Sequence, residues 1–104
     1  MRTELISEVM DDAGLGIKVR VSGPAPRDAL QEIGEAWANA ARGRAERVWV
    51  WLYGSDMDAD GPAIAVTYME RDGQPVSDFV DPSTLLLYYM HHPARPTPGG
   101  RRTA

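Results

Sequence analysis

Cysteine is absent from the 104 residues, which removes a disulfide framework, a thiolate metal site and a cysteine nucleophile together. No apolar run approaches the 18 or so residues that a membrane-spanning helix needs, and the opening MRTELISEVMDD lacks the apolar centre of a secretory signal. Lysine is almost missing too: Lys18 stands alone beside ten Arg. With a net charge of -4, the chain is poorly suited to a phosphate backbone as its main partner, since such binding rests on clustered cations. The ten glycines form neither a phosphate-cradling loop nor a dinucleotide fingerprint. These absences lead us to expect a soluble, cytoplasmic chain with no membrane and no nucleic-acid partner. The length suits one core, placed in residues 1–92. The tail from Pro93 to Ala104 (PARPTPGGRRTA) has no core-forming residues and is expected to be disordered; its formal P-x-x-P segment is a chance match in a proline-rich stretch.

What is present is pattern. Glu4 to Met10 alternates imperfectly and reads as a strand, followed by a turn over Asp11 to Gly16. Ile17 to Ser22 alternates strictly, with Ile17, Val19 and Val21 on one face and Lys18, Arg20 and Ser22 on the other. Gly23-Pro24-Ala25-Pro26 ends that strand, and Pro26 opens a helix running to about Arg42. Leu30, Ile33, Trp37 and Ala41 mark its apolar face. Asp28, Glu32 and Glu35 mark the opposite one and are explained by solvation.

Arg47 to Tyr53 is the strongest strand. Val48, Val50 and Leu52 make an aliphatic face, and Trp49, Trp51 and Tyr53 an aromatic one. A strand apolar on both sides belongs in the middle of its sheet. Ala63 to Met69 returns beside it as a hairpin partner, and Val76 to Val80 reads as a short edge strand. Asp81-Pro82-Ser83 resembles a helix start, and Leu85 to Met90 is a short apolar segment that periodicity leaves open between helix and strand.

Three places carry residues with chemical potential. Asp56, Asp58 and Asp60 with Gly61 match the opening of a calcium loop, because alternate carboxylates before a turn-forming Gly offer a hard cation its oxygens. The match then fails, since its twelfth position is Thr67, Pro62 follows the Gly, and strands flank it. Three exposed carboxylates ~6 Å apart repel by only about 0.7 kcal/mol per pair, so a cation is not required. The aromatic face is the second place. Bare Trp49, Trp51 and Tyr53 would exceed the apolar patch a monomer tolerates, so something covers them, the chain's own Leu85 to Met90 or a partner. Lys18 and Arg20 border them if their strand joins the same sheet, a mixture that also serves single-stranded nucleic acid but sits badly with the net charge. The third is His91-His92, whose side chains diverge on either a helix or a strand and so form no ready chelate.

Catalysis finds little in the pattern. Ser55 beside Asp56 has no nearby His or nucleophile elbow, and the pairs Asp11 with Asp12 and Glu70 with Asp72 would act as acid and base only in a shared cleft.

The order IKVRVSGPAPRDALQEIGEAW and then RVWVWLYGSDMDADGPAIAVTYM, over about residues 17–69, resembles small bacterial domains of unknown function. In these, a strand and a Pro-containing turn lead into an amphipathic helix, a strand of the VWFY kind and an Ala-rich returning strand. The resemblance implies a sheet with a packed helix and brings no catalytic residues.

The expected fold is therefore α+β: an antiparallel sheet of four or five strands in β-β-α-β-β order, with the helix on the Val48, Val50, Leu52 face and a short C-terminal apolar segment. The expected role is a non-enzymatic protein-interaction or self-associating module, with Trp49, Trp51, Tyr53, Lys18 and Arg20 as its surface. The alternatives are weak calcium binding through Asp56, Asp58 and Asp60, or a small enzyme or ligand-binding domain built on the aromatic face. No cofactor other than that calcium is expected.

Overall fold

In the computed structural model, which describes residues 2–81, the chain begins as a long hairpin. Strand β1 (Arg2–Asp11) turns tightly through Asp12 and Ala13 into β2 (Gly14–Ser22). The expected turn over Asp11 to Gly16 is thus much shorter than composition suggested. Asp11 closes it with its own side chain, whose Oδ1 accepts the amides of Ala13 (2.8 Å) and Gly14 (3.2 Å), as short acidic side chains do in turns. Gly14 and Gly16 are consequently strand residues. Ile6 is an extra residue in β1, a bulge that shifts the register between Leu5 and Ser7.

Helix α1 (Arg27–Ala40) follows, with Pro26 in extended geometry at its N-cap and Asp28 in the first turn. The chain then gives β3 (Arg47–Gly54), β4 (Ala65–Glu70) and β5 (Val76–Phe79). The sheet order is β1-β2-β3-β4-β5 with β3 in the centre, as its two apolar faces require.

Two features of the expected fold are corrected. The order is β-β-α-β-β-β, and the sheet is mixed: β2 and β3 run parallel, pairing Leu15 with Val48 through Val21 with Gly54. The physical reason is the helix itself. A crossover long enough to hold a helix carries the chain back to its starting end, so the next strand lies alongside in the same direction. The other three pairings are antiparallel.

The helix covers one face of the sheet, packing over β3, β4 and β5. Val48, Val50 and Leu52 lie beneath it as expected; Ile17, Val19 and Val21 extend the same sheet face on β2, and all six are at most 2% exposed. Each large aliphatic side chain so buried contributes about 1.5–3 kcal/mol.

The helical seam differs from the expected one. Leu30, Gly34 and Ala38 are its buried residues, with Ala41 just beyond its end, while Ile33 and Trp37 are only partly buried at its flank. Small residues at the seam let the helix approach closely. A Cβ on Gly34 would run into Oγ1 of Thr67, the fully buried β4 hydroxyl that shares a 2.8 Å hydrogen bond with Ser77. Asp28 and Glu32 are exposed and Glu35, half-buried, accepts a bond from Gln31.

Residues 82–104 are outside the described part, and with them Leu85 to Met90, His91, His92 and the tail. Among the described residues no helix is long and apolar enough to cross a membrane.

Candidate functional site

The helix occupies one face of the sheet, and among the described residues no helix packs on the other. The registers set the side chains of that other face in rows across the strands. Val9, Gly16, Trp49, Tyr68 and Val76 fall opposite one another on β1 through β5, an apolar row that crosses the whole sheet. The next row holds Ser7, Lys18, Trp51, Val66 and Asp78, and beyond it lie Glu4, Arg20 and Tyr53.

The two indoles are placed by glycine. Trp49 and Trp51 lie stacked with ring centroids 6.5 Å apart and planes within 7°, and Tyr68 sits 5.3 Å from Trp49, a spacing at which aromatic pairs attract. Both indoles lean onto β2. A Cβ at Gly14 would stand 2.9 Å from the Trp49 ring, and one at Gly16 would stand 2.7 Å from the Trp51 ring. Gly14 also has φ of 144°, which side-chain-bearing residues rarely adopt, and a Cβ there would run into the Arg47 carbonyl. The two glycines form a floor on which the rings lie. Each Trp is half-buried and rests on these glycines, while Val9 and Val76 at the ends of the row are both 59% exposed.

Tyr53 is different. It is 3% exposed, covered by the 55–62 loop, whose Gly61 carbonyl accepts its hydroxyl at 3.0 Å. The same loop occupies both cations of the expected surface. Nζ of Lys18 donates to the Ala59 carbonyl at 2.7 Å and stands 5.9 Å from the Tyr53 ring centre. Arg20 donates through one nitrogen to the carbonyls of Gly54 (2.8 Å), Ser55 (3.3 Å) and Met57 (3.0 Å). Of the five residues expected to form one interaction surface, Trp49 and Trp51 are half-buried and take no part in holding the loop, whereas Tyr53, Lys18 and Arg20 hold it down. The loop was legible as acidic and the strand as carrying outward cations, but sequence reasoning did not join the two.

The acidic residues have local tasks of their own. Asp58 accepts the Asp60 amide at 2.9 Å through Oδ1 and the Gly61 amide at 3.0 Å through its carbonyl, an Asx-type turn. Asp56 is exposed, and its carboxylate is not gathered with those of Asp58 and Asp60: among the described residues no group of three or more metal-ligating side chains is assembled.

At the opposite end of the sheet a cleft of about 590 Å³ does bring Asp11, Asp12, Glu70 and Asp72 together. Asp11 closes its turn, Glu70 accepts the Tyr68 hydroxyl at 3.0 Å, and Glu46 and Arg71 on the rim pair with each other at 2.9 Å. Partial burial, and then Glu70, raise the Tyr68 phenol above its ordinary range. Arg42 spans the same end by donating to the carbonyls of Arg71 and Gly73. The cleft is knitted by structural bonds, and none of its side chains is a nucleophile poised against a base.

The residues that sequence reasoning missed are Gly14, Gly16, Tyr68, Val9 and Val76. Tyr68 and Val66 were legible as a strand face, but only the register shows that Tyr68 continues the line of Trp49. Compared with family models, with curated proteins and with solved structures, the chain finds no match.

Proposed function

We propose that this is a small, non-enzymatic binding domain that docks another protein chain on the helix-free face of its sheet. The observation that supports the reading is the row from Val9 through Trp49 and Tyr68 to Val76, laid open across five strands with the two indoles supported from beneath by Gly14 and Gly16. At an interstrand spacing of about 4.8 Å, the row is roughly 19 Å long. That is the footprint of one strand or a few helical turns of a partner, with aromatic anchors at its middle, where interface energy concentrates. The arrangement costs little to keep ready, since rings already held flat lose little freedom on binding. The Arg47 and Glu70 side charges flank the row, as polar rims surround apolar interface centres.

The test pairs the wild-type chain with a Trp49→Thr, Trp51→Thr variant whose circular dichroism and melting show it folded. Threonine keeps the strand preference and removes the ring. Proteins captured from the source organism's extract should be lost in the variant, or a concentration-dependent dimer of the wild type should disappear. A wild type that stays monomeric to millimolar concentration and captures the same proteins as the variant would defeat the reading.

A further inference from the structure

Strand β1 carries a second, independent surface, its outer edge. It is ten residues long, pairs among the described residues with β2 alone, and contains neither Pro nor Lys, two of the residues that blunt natural edges; its bulge at Ile6 and its charges at Arg2, Glu4, Glu8 and Asp11 are what a partner strand has to match. The opposite edge, β5, has four residues. The helix stops short of β1, so Leu5 (43% exposed) and Met10 (53%) lie bare on the helix side, and Val9 (59%) lies bare on the other. Three of the four exposed large apolar side chains among the described residues are on this one strand.

We propose that β1 pairs antiparallel with β1 of a second copy, about a two-fold axis between Ile6 and Ser7, joining two sheets into one. The occupant is chosen by self-complementarity. Pairing with β2 fixes the face of each residue: Thr3, Leu5, Glu8 and Met10 share the helix side with Val21, Val19, Ile17 and Leu15, while Arg2, Glu4, Ser7, Val9 and Asp11 share the other side. Directly opposed residues must point the same way. An axis on Ile6 itself breaks that condition, setting Arg2 against Met10, and also sets Glu4 against Glu8.

An axis between Ile6 and Ser7 satisfies it for all four pairs whose faces the β2 register fixes, because the bulge has already shifted the alternation by one. Arg2 then faces Asp11, Thr3 faces Met10, Glu4 faces Val9 and Leu5 faces Glu8, each pair occurring twice. Unlike charges close both ends, no like charges are opposed, and all ten residues are used. Moving the axis one residue toward Asp11 would oppose Glu4 to Asp11; moving it toward Arg2 would leave Met10 and Asp11 outside the ladder. Asp11 uses Oδ1 within its own turn, and its second oxygen is the one offered to Arg2. The two bulges meet at the axis, where symmetry bends both strands alike.

The register makes opposite predictions for two substitutions at one exposed site. Sedimentation of the full chain from 5 µM to about 500 µM should show a reversible dimer. Leu5→Glu places a like charge against Glu8 of the other copy, twice, partly offset by the Arg44 that pairs with each Glu8 at 2.8 Å, and should weaken the dimer about fivefold. Leu5→Lys, losing the same apolar surface, should leave it within about threefold of the wild type. A Ser7→Cys variant, in a chain otherwise free of Cys, should cross-link to a dimer on mild oxidation, since the two copies of residue 7 lie diagonally across the axis. A monomer at every concentration would overturn the proposal. So would equal weakening by Leu5→Glu and Leu5→Lys, or a dimer whose Ser7→Cys form does not cross-link. A dimer that survives Leu5→Glu but is lost in the Trp49→Thr, Trp51→Thr variant would overturn the edge and leave the aromatic face as the contact.

Discussion

Replacing Gly34 by Ala sets two effects of known sign against each other. On an exposed helix the change stabilises by about 1 kcal/mol, because alanine loses less backbone freedom than glycine. Here the new methyl would meet Oγ1 of Thr67 and stand 3.0 Å from its Cβ, beneath a helix that rests directly on β4. If the helix lifts, overpacking costs typically 1–3 kcal/mol. If Thr67 rotates instead, its 2.8 Å bond to Ser77 breaks and leaves a hydroxyl unpaired at a position with 0% exposure, which costs about 1–3 kcal/mol. Either route at least cancels the helical gain, so a net loss of up to about 2 kcal/mol is expected, equivalent to a fall in Tm of up to roughly 16 °C for a domain of this size. Urea unfolding should show a lower midpoint with unchanged slope. In a Thr67→Ala background the cost of Gly34→Ala should shrink, since the hydroxyl it strikes is gone, and the difference measures the contact. A Gly34→Ala chain more stable than the wild type would refute the close approach of helix and sheet.

Arg20→Gln removes the charge that gathers three carbonyls, and it should destabilise the chain by about 1–3 kcal/mol while hydrogen exchange rises selectively over residues 54–61. Tyr68→Phe tests the raised phenol: in an absorbance titration the component lost in the variant should ionise above the ordinary value of about 10. The unfolded chain would ionise this Tyr first, so the stability it lends is fully present below about pH 10 and is lost as pH rises through the folded value; the wild type should lose stability with pH more steeply there than Tyr68→Phe. A component at the ordinary value would contradict the partial burial of that ring.

The fold was legible where one residue type repeats with one period. Val48, Val50 and Leu52 announce a buried face without help from the rest of the chain, as do Ile17, Val19 and Val21, and the helix lies over the face they predict. Direction was not legible, because alternation has no arrow: β2 reads the same whether its neighbour runs with it or against it. Small residues were equally silent. Gly34 and Ala38 make the helix seam, and Gly14 and Gly16 make the floor under the indoles, yet an apolar-periodicity reading assigns weight to Ile33 and Trp37 and sees the two β2 glycines as turn. What matters at all four positions is absent volume, and that acquires meaning only when the neighbour across the gap is known. The candidate surface suffered the same way. Trp49 and Trp51 could be named from the strand alone, but the separation of Tyr53 from them depends on a loop that folds over one end of the sheet.

The bond pattern of Arg20 bears on the acidic loop in one more way. Loops that bind a hard ion turn backbone oxygens inward around it, and the carbonyls of Gly54, Ser55 and Met57 are turned toward a single guanidinium nitrogen. Arg20 is in effect a counterion on a tether. Held by the strand beneath, it surrenders no translational freedom when the loop closes and cannot be stripped by a chelator. The charge that gathers those three carbonyls is thereby supplied from within the chain.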